Sequence, residues 1–286
     1  MGRCDSVGAV LIGFILERLE AIGELDNTLI VVSGDHGIPG FPRGKCNLYD
    51  IGCEVAMAAR WPARIKPGRV VDDFVNLMDL GPTFMEAADV PVPETMTGKS
   101  LLPVFDSDAS GQVDPDRTFV VTGRERHAAA AREDNLPYPQ RAIRTREFLY
   151  IHNFAPDRWP IGDPCGLDDP TTGAPSFEKL CNDTFVAYPD MDASPTKAWM
   201  ILHRTEENVQ ELFRLGFAKR PKEELYDLRV DPHHMNNVAG DTAYSNIQKR
   251  LAAKLIQILR ENNDPRVVEA KCLFDHEPFA GPLPKA

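Results

Sequence analysis

The fold of this protein is first indicated by the stretch Thr28-Leu29-Ile30-Val31-Val32-Ser33-Gly34-Asp35-His36-Gly37. Its first five residues form an unbroken β-branched and apolar run, which is typical of a parallel strand buried on both faces. The run ends in a turn where two glycines flank a carboxylate and an imidazole. In open α/β sheets, ligands bind beyond the carboxyl ends of the strands, so Asp35 and His36 are candidate metal ligands. The alternative is that Asp35 caps the turn and His36 lies on the surface.

The segments around this turn alternate between helix and strand. Apolar residues recur at helical spacing over 7–22, and Gly23 is placed to end that helix. Further strands are predicted at 55–59 and 118–122, with a helix over 79–88 between them. This order predicts the α/β class, with the first two strands in one sheet.

The second half of the chain has a different character. Residues 144–152 are predicted to form one partly exposed strand of an antiparallel sheet, and 156–195 to form irregular loops on the surface. Helical patterns return over 196–217 and 243–260, with a short strand at 224–228 between them. We therefore predict two domains, 1–140 and 141–286. The pair His233-His234 is predicted to be solvated.

Composition narrows the functional classes. The 286 residues are 43% hydrophobic and 26% charged, as in an ordinary globular protein, and their formal net charge of −11 disfavours nucleic-acid binding. The longest apolar run near the start is too short and too charged to span a membrane. The six cysteines include no Cys-x-x-Cys pair, which disfavours a zinc finger or a thioredoxin-like site.

The sequence around Asp35 resembles the second metal motif of the sulfatase family, in the alkaline-phosphatase superfamily. The resemblance continues through further blocks of the chain, at 44–52, 60–62, 79–83, 98–103 and 223–232. Segments 38–42 and 136–144 look most like the heparan N-sulfatase branch. The resemblance implies a mixed sheet flanked by helices, of which 1–140 is the C-terminal part, and a smaller α+β subdomain over 141–286 on an antiparallel sheet.

The resemblance also implies roles for individual residues. Asp35 and His36 would bind a divalent metal, most often calcium in this family, although the family often has Asn in place of His36. Lys45 would bind and neutralise a sulfate oxygen as a catalytic residue. His127 would reach the substrate as a second catalytic residue, and Arg126 would pair with charged groups of the sugar. An ordinary surface salt bridge is the alternative for Arg126.

The resemblance further implies a nucleophile that this chain lacks. Sulfatases use a formylglycine made in the pattern Cys/Ser-x-Pro-x-Arg, which does not occur in the sequence. We therefore expect the formylglycine and the remaining metal ligands in an absent N-terminal half, and we expect this chain alone to be inactive and poorly soluble. The expected partner is a sulfated carbohydrate or another small sulfate ester, with a homodimer as an option and no nucleic acid.

The sequence leaves two alternatives open. The first is a zinc-dependent phosphodiesterase or phosphatase of the same superfamily, in which Thr or Ser is the nucleophile. The second is an inactive truncated remnant. The cellular location is not fixed by the chain, but a periplasmic, secreted or lysosomal location is expected if an upstream segment carries a signal.

Overall fold

A computed structural model describes residues 4–276 of the protein. The strands are β1 Ile30–Ser33, β2 Met57–Arg60, β3 Phe119–Arg124, β4 Gln140–Thr145, β5 Phe148–Asn153 and β6 Glu223–Asp227. The α-helices are α1 Cys4–Ala21, α2 Asp50–Cys53, α3 Leu80–Ala87, α4 Leu102–Phe105, α5 Phe177–Asn182, α6 Pro195–Leu202, α7 Gln210–Phe217, α8 Ser245–Glu261 and α9 Pro265–Val268. None of the helices in the described part of the chain is long and apolar enough to cross a membrane.

The described residues divide into two compact units. The first contains the chain up to Gly34 together with Ala56–Thr118, and the second contains Asp35–Val55 together with the chain from Phe119 onward. The second unit joins β3 to β4, β5 and β6 in one sheet, although the sequence predicts a domain boundary between β3 and β4 at residue 140. That boundary stays a prediction about the domains of the protein.

The first unit contains the predicted strands β1 and β2, which pair with each other. Their pairing is antiparallel, with Ile30 opposite Arg60, and Val32 is 42% exposed. The prediction of a parallel strand buried on both faces is therefore wrong for β1. Its apolar run reflects one-sided packing instead, because Leu29 and the β2 side chains contact a cluster around Trp61.

A buried carboxylate fixes the start of α3 in the same unit. Asp79 accepts hydrogen bonds from Lys99 N at 2.8 Å and from Arg117 Nη1 at 2.8 Å. The side chains of Asp79 and Arg117 are almost fully buried. Thr83 continues the connection, since its Oγ1 accepts from Leu101 N at 2.8 Å. The loop before α4 is thus tied to α3, and the helix predicted over 79–88 is confirmed.

The second unit is built on an antiparallel sheet in the order β3-β4-β5-β6. Apolar residues of α8 pack on one face of this sheet, and Leu48 and Tyr49 pack on the other. The single strand predicted over 144–152 is wrong, because the chain turns at 146–147 and returns as β5. Thr145 favours that turn, since its Oγ1 accepts from Phe148 N and donates to Phe148 O, each at 3.1 Å.

The segment 156–195 contributes to the core of the second unit. Ile161, Leu180 and Tyr188 are at most 1% exposed and belong to one apolar cluster, so the prediction of surface loops is wrong for them. The backbone polar groups of this segment are satisfied in part by Lys197, whose buried ammonium donates to three carbonyl oxygens. The helical pattern over 196–217 is confirmed as α6 and α7.

Candidate functional site

The loop that carries the predicted site residues is closely packed around Gly37. Gly37 N donates to Gly52 O at 3.0 Å, and Lys45 N donates to Ile38 O at 2.9 Å. A Cβ atom at Gly37 would lie 2.0 Å from Ile51 O, a distance that no side chain tolerates. The loop therefore folds back on the Asp35-His36 turn, and only glycine fits at position 37.

Asp35 and His36 place two metal-ligating atoms close together. His36 Nδ1 lies 2.7 Å from Gly37 O, and because a carbonyl can only accept, this nitrogen carries a proton. The other ring nitrogen, Nε2, lies 3.4 Å from Asp35 Oδ2. Within residues 4–276 no group of three or more His, Cys, Asp or Glu side chains converges on a metal position. The turn thus fits a cation as a partial ligand set, against the about six to eight ligands that calcium takes.

Lys45 is paired with a carboxylate that the sequence did not reveal. Its Nζ lies 3.1 Å from Asp192 Oδ2, and both side chains keep about a third or less of their surface exposed. The segment that carries Asp192 is anchored beside this loop, because Ser194 Oγ donates to Gly40 O at 2.5 Å. Gly40 has a φ of +63°, and a Cβ there would lie 2.6 Å from Ser194 Cβ.

His127 lies in the same electrostatic environment as this ion pair. Its ring is partly exposed, but burial of the other side lowers the pKa below the usual value of 6.5. The negative charges of Asp190 and Asp192 oppose this shift, and the positive charges of Lys45 and Arg124 add to it. The lowered pKa favours the neutral form of His127 at pH 7, and the charges of Lys45 and Asp192 both act on its ring.

Arg126 donates hydrogen bonds to backbone carbonyls of two other segments. Its Nε donates to Asn135 O at 2.6 Å, and its Nη2 donates to Phe274 O at 2.8 Å. Burial lowers the pKa of the guanidinium. These contacts favour a structural role that joins two backbone segments, so binding of a sugar by Arg126 stays a prediction.

Sequence reasoning missed the buried charges beneath Lys45 and His127. Asp190 is fully buried and lies 2.6 Å from Arg132 Nη2 and 4.0 Å from Arg124 Nη2. No periodicity surrounds Asp190 in the sequence, and its partners are distant along the chain. The one usable signal was Arg124, a charged residue two positions after the strand predicted at 118–122.

The second unit also contains a cavity of about 590 Å³, lined mainly by apolar side chains. His234 lines it and is 3% exposed, so the prediction of a solvated His233-His234 pair is wrong for His234, although His233 is exposed. The ring of His234 lies between Tyr49 and Tyr226, and its Nε2 is 3.7 Å from Asp50 Oδ2. Burial among these side chains lowers its pKa.

Comparison with known proteins identifies similar sequences. Residues 40–163 match the family described as N-sulphoglucosamine sulphohydrolase, C-terminal. The chain is 28% identical over 277 residues to the N-sulphoglucosamine sulphohydrolase of Homo sapiens, covering 93% of this chain and 47% of that protein. It is 28% identical over 239 residues to an ulvan-active sulfatase of Formosa agariphila, covering 84% of this chain and 39% of the relative. The chain thus spans about half or less of the length of these relatives.

A solved structure shares the fold. The structure of BT4656 in complex with its substrate D-glucosamine-2-N,6-O-disulfate superimposes with a TM-score of 0.57 and 23% identity. The match covers 91% of this chain and 40% of that one. The predicted α/β class, with helices flanking the strands and an antiparallel sheet in the later part of the chain, is confirmed.

Proposed function

Since the chain belongs to the sulfatase family and matches the C-terminal part of its members, we propose that it forms one wall of a sulfatase active site. The reaction would be hydrolysis of a sulfate ester or a sulfamate on a sulfated sugar. The named relatives and the substrate in the BT4656 complex support the sugar class. A homodimer stays a prediction.

The observation that carries this proposal is the ion pair of Lys45 with Asp192, whose segment is bonded through Asp190 to the backbone next to His127. The half-buried ammonium of Lys45 is suited to binding a sulfate oxygen. A charge in a poorly solvated environment interacts more strongly with an anion than it would in water. Asp192 holds that ammonium in place when no anion is bound. With its pKa below the usual value, the imidazole of His127 is suited to accepting a hydrogen bond or a proton from the substrate near pH 7.

Asp35 and His36 are the proposed metal ligands in this wall. The fit rests on Nε2 of His36 lying 3.4 Å from the carboxylate of Asp35, which brings a nitrogen and an oxygen donor together. A divalent cation bound there would supply Lewis acidity toward a sulfate oxygen. We propose calcium, as the family resemblance implies, although an imidazole ligand is more typical of zinc and other transition metals.

The nucleophile is proposed to come from a part of the protein outside this chain. None of the cysteines or serines has Pro two residues later and Arg four residues later, so the chain contains no formylglycine site. The residues described above would therefore bind and orient the sulfate group rather than attack it.

Binding of sulfated sugars by the chain tests the proposal directly. We expect N-sulfoglucosamine to bind to the purified chain, and Lys45→Met to weaken binding about tenfold or more because it removes the cation and keeps the aliphatic stem. Lys66→Met is the matched control, since Lys66 forms only an exposed ion pair with Asp108 at 3.8 Å. Equal binding by Lys45→Met and the unmodified chain would refute the assignment of Lys45.

Activity of the full-length gene product provides the second test. We expect hydrolysis of N-sulfoglucosamine or an aryl sulfate, with large losses on Asp35→Ala and Lys45→Ala. An aryl phosphate, assayed in parallel, distinguishes the phosphatase alternative, since a preference for phosphate over sulfate would favour that chemistry. Turnover that neither substitution lowers would contradict the proposed site.

A further inference from the structure

Asp190 lies where three separate segments of the second unit meet. Its Oδ1 accepts from Ala128 N at 2.9 Å, and its Oδ2 accepts from Arg132 Nη2 at 2.6 Å. The side chain is completely buried. One carboxylate thus bonds directly to the backbone beside His127 and stands two residues before Asp192.

The backbone of Asp190 extends this connection to the Lys45 loop. The thiol of Cys46 donates to Asp190 O at 3.1 Å, and Arg124 Nη1 donates to Cys46 O at 2.7 Å. Lys45 is the residue before Cys46, so its position depends on these bonds. The segments that carry Lys45, His127 and Asp192 therefore all contact either Asp190 or the Arg124 guanidinium beside it.

The guanidiniums beside Asp190 make further hydrogen bonds to the protein, although the buried Arg132 Nη1 and Arg124 Nε have no hydrogen-bond partner among the described residues. Arg132 also donates to Trp159 O at 2.7 Å and to Pro160 O at 3.0 Å, and Arg124 donates to Pro160 O as well. Burial raises the pKa of Asp190, but the two guanidiniums outweigh it and hold the pKa below its usual value. A buried, ionised carboxylate whose two oxygens each accept a hydrogen bond from the protein is suited to holding other groups in place rather than to binding a ligand.

We propose that Asp190 is a positioning residue that holds Lys45, His127 and Asp192 in one arrangement. The use of that arrangement for sulfate rests on the proposed function, but the arrangement itself can be tested without it. A buried ion pair that only stabilises the fold would behave like Asp79 with Arg117, which joins α3 to the loop before α4 and has no site residue beside it.

Hydrogen exchange of the chain measures whether the three segments depend on Asp190. We expect Asp190→Asn to increase exchange roughly tenfold or more in peptides covering 44–47, 127–130 and 190–193. Asp79→Asn, the matched control, should increase exchange around α3 and 99–101 and leave those three peptides unchanged. Faster exchange in 190–193 alone, with 44–47 and 127–130 unaffected, would overturn the proposal.

A second variant covers the case in which Asp190→Asn does not fold. Arg124→Gln removes the bonds to Cys46 O and Pro160 O and leaves the contacts of Asp190 with Ala128 and Arg132. We expect faster exchange at 44–47 and at 159–161, with 127–130 still protected. If 127–130 lost protection as much as 44–47 and 159–161, Arg124→Gln would have destabilised the whole unit, and the result would contradict the assignment to Asp190.

Titration of His127, followed by its imidazole NMR signal, provides a readout that general loosening does not mimic. The charged groups facing the ring are Asp190, Asp192, Lys45 and Arg124. Asp190→Asn removes a negative charge and should lower the pKa of His127, while Arg124→Gln removes a positive charge and should raise it. His127→Gln identifies the signal. Shifts in the same direction in both variants, or none, would refute the proposed arrangement even if the chain binds sulfated sugars.

Discussion

Lys197 offers a quantitative test of how the segment beneath the site is held. Its Nζ donates to Thr184 O at 3.1 Å, to Tyr188 O at 3.2 Å and to Met191 O at 2.7 Å, and the side chain is fully buried. Burial lowers the pKa of this ammonium from its usual value of 10.5 to about 8, although Asp192 opposes the shift. The burial that accompanies these three contacts therefore carries an electrostatic cost.

The size of that cost depends on pH. At pH 7 the difference between the folded and unfolded pKa values corresponds to about 3 kcal/mol that opposes folding. Between pH 8 and 10.5 the unfolded chain keeps the Lys197 proton while the folded chain has lost it, so stability rises with pH in this window. The cost falls to about 2 kcal/mol at pH 9, and Lys197 thus contributes a gain of about 1 kcal/mol between pH 7 and pH 9.

Urea unfolding of the chain and of Lys197→Met at the two pH values measures this gain. We expect the free energy of unfolding of the unmodified chain, relative to the variant, to increase by about 1 kcal/mol from pH 7 to pH 9. Other titrating groups largely cancel in this difference. Lys179→Met is the control, because Lys179 is exposed and should show no such dependence. A difference that stays constant or falls with pH would show that the ammonium of Lys197 does not carry this electrostatic cost.

Three further perturbations test the loop and the buried charges. Gly37→Ala should lower the free energy of unfolding in urea by about 2 kcal/mol or more, because the new Cβ would overlap Ile51 O. Gly173→Ala is the control and should change stability little, since a Cβ at position 173 would have no other atom within 4 Å. Cys46 should react with iodoacetamide at pH 8 roughly 100-fold more slowly in the folded chain than in urea, because burial raises its pKa from 9.0 to about 11; equal rates would contradict this. The pKa of Asp190 is below its usual value of 3.8, so its contribution to stability should be present at neutral pH and be lost as pH falls below about 4. The stability of Asp190→Asn should therefore depend less steeply on pH in acid unfolding than that of the unmodified chain.

Local patterns predicted most of the regular elements because their causes are local. The apolar period of α1, the β-branched run of β1 and the proline near the start of α3 each act within a few residues. The Asp35-His36 turn was found for the same reason, since its strand, glycines and ligands are contiguous. Where a feature depended on one side chain within such a pattern, as with Thr145 at the β4 to β5 turn, the prediction of a single strand was wrong.

Long-range contacts account for what the sequence did not predict. The bond from Cys46 to Asp190 joins residues 144 positions apart, and that from Lys45 to Asp192 joins residues 147 apart. Neither Asp190 nor Asp192 lies in a periodic segment, so nothing near them in the sequence distinguishes them from surface aspartates. The burial of 156–195 was missed for the same reason, because its apolar residues pack without a helical or strand period.

The ion pair between Lys45 and Asp192 has a consequence for the discrimination of anions. An anion that binds Lys45 replaces one carboxylate by another oxyanion, so the number of ion pairs made by the ammonium does not change. Added salt screens the original and the new pair alike, and the affinity should respond weakly to ionic strength compared with binding to an unpaired lysine. Preference among anions would then depend on the number and direction of their hydrogen bonds rather than on charge alone.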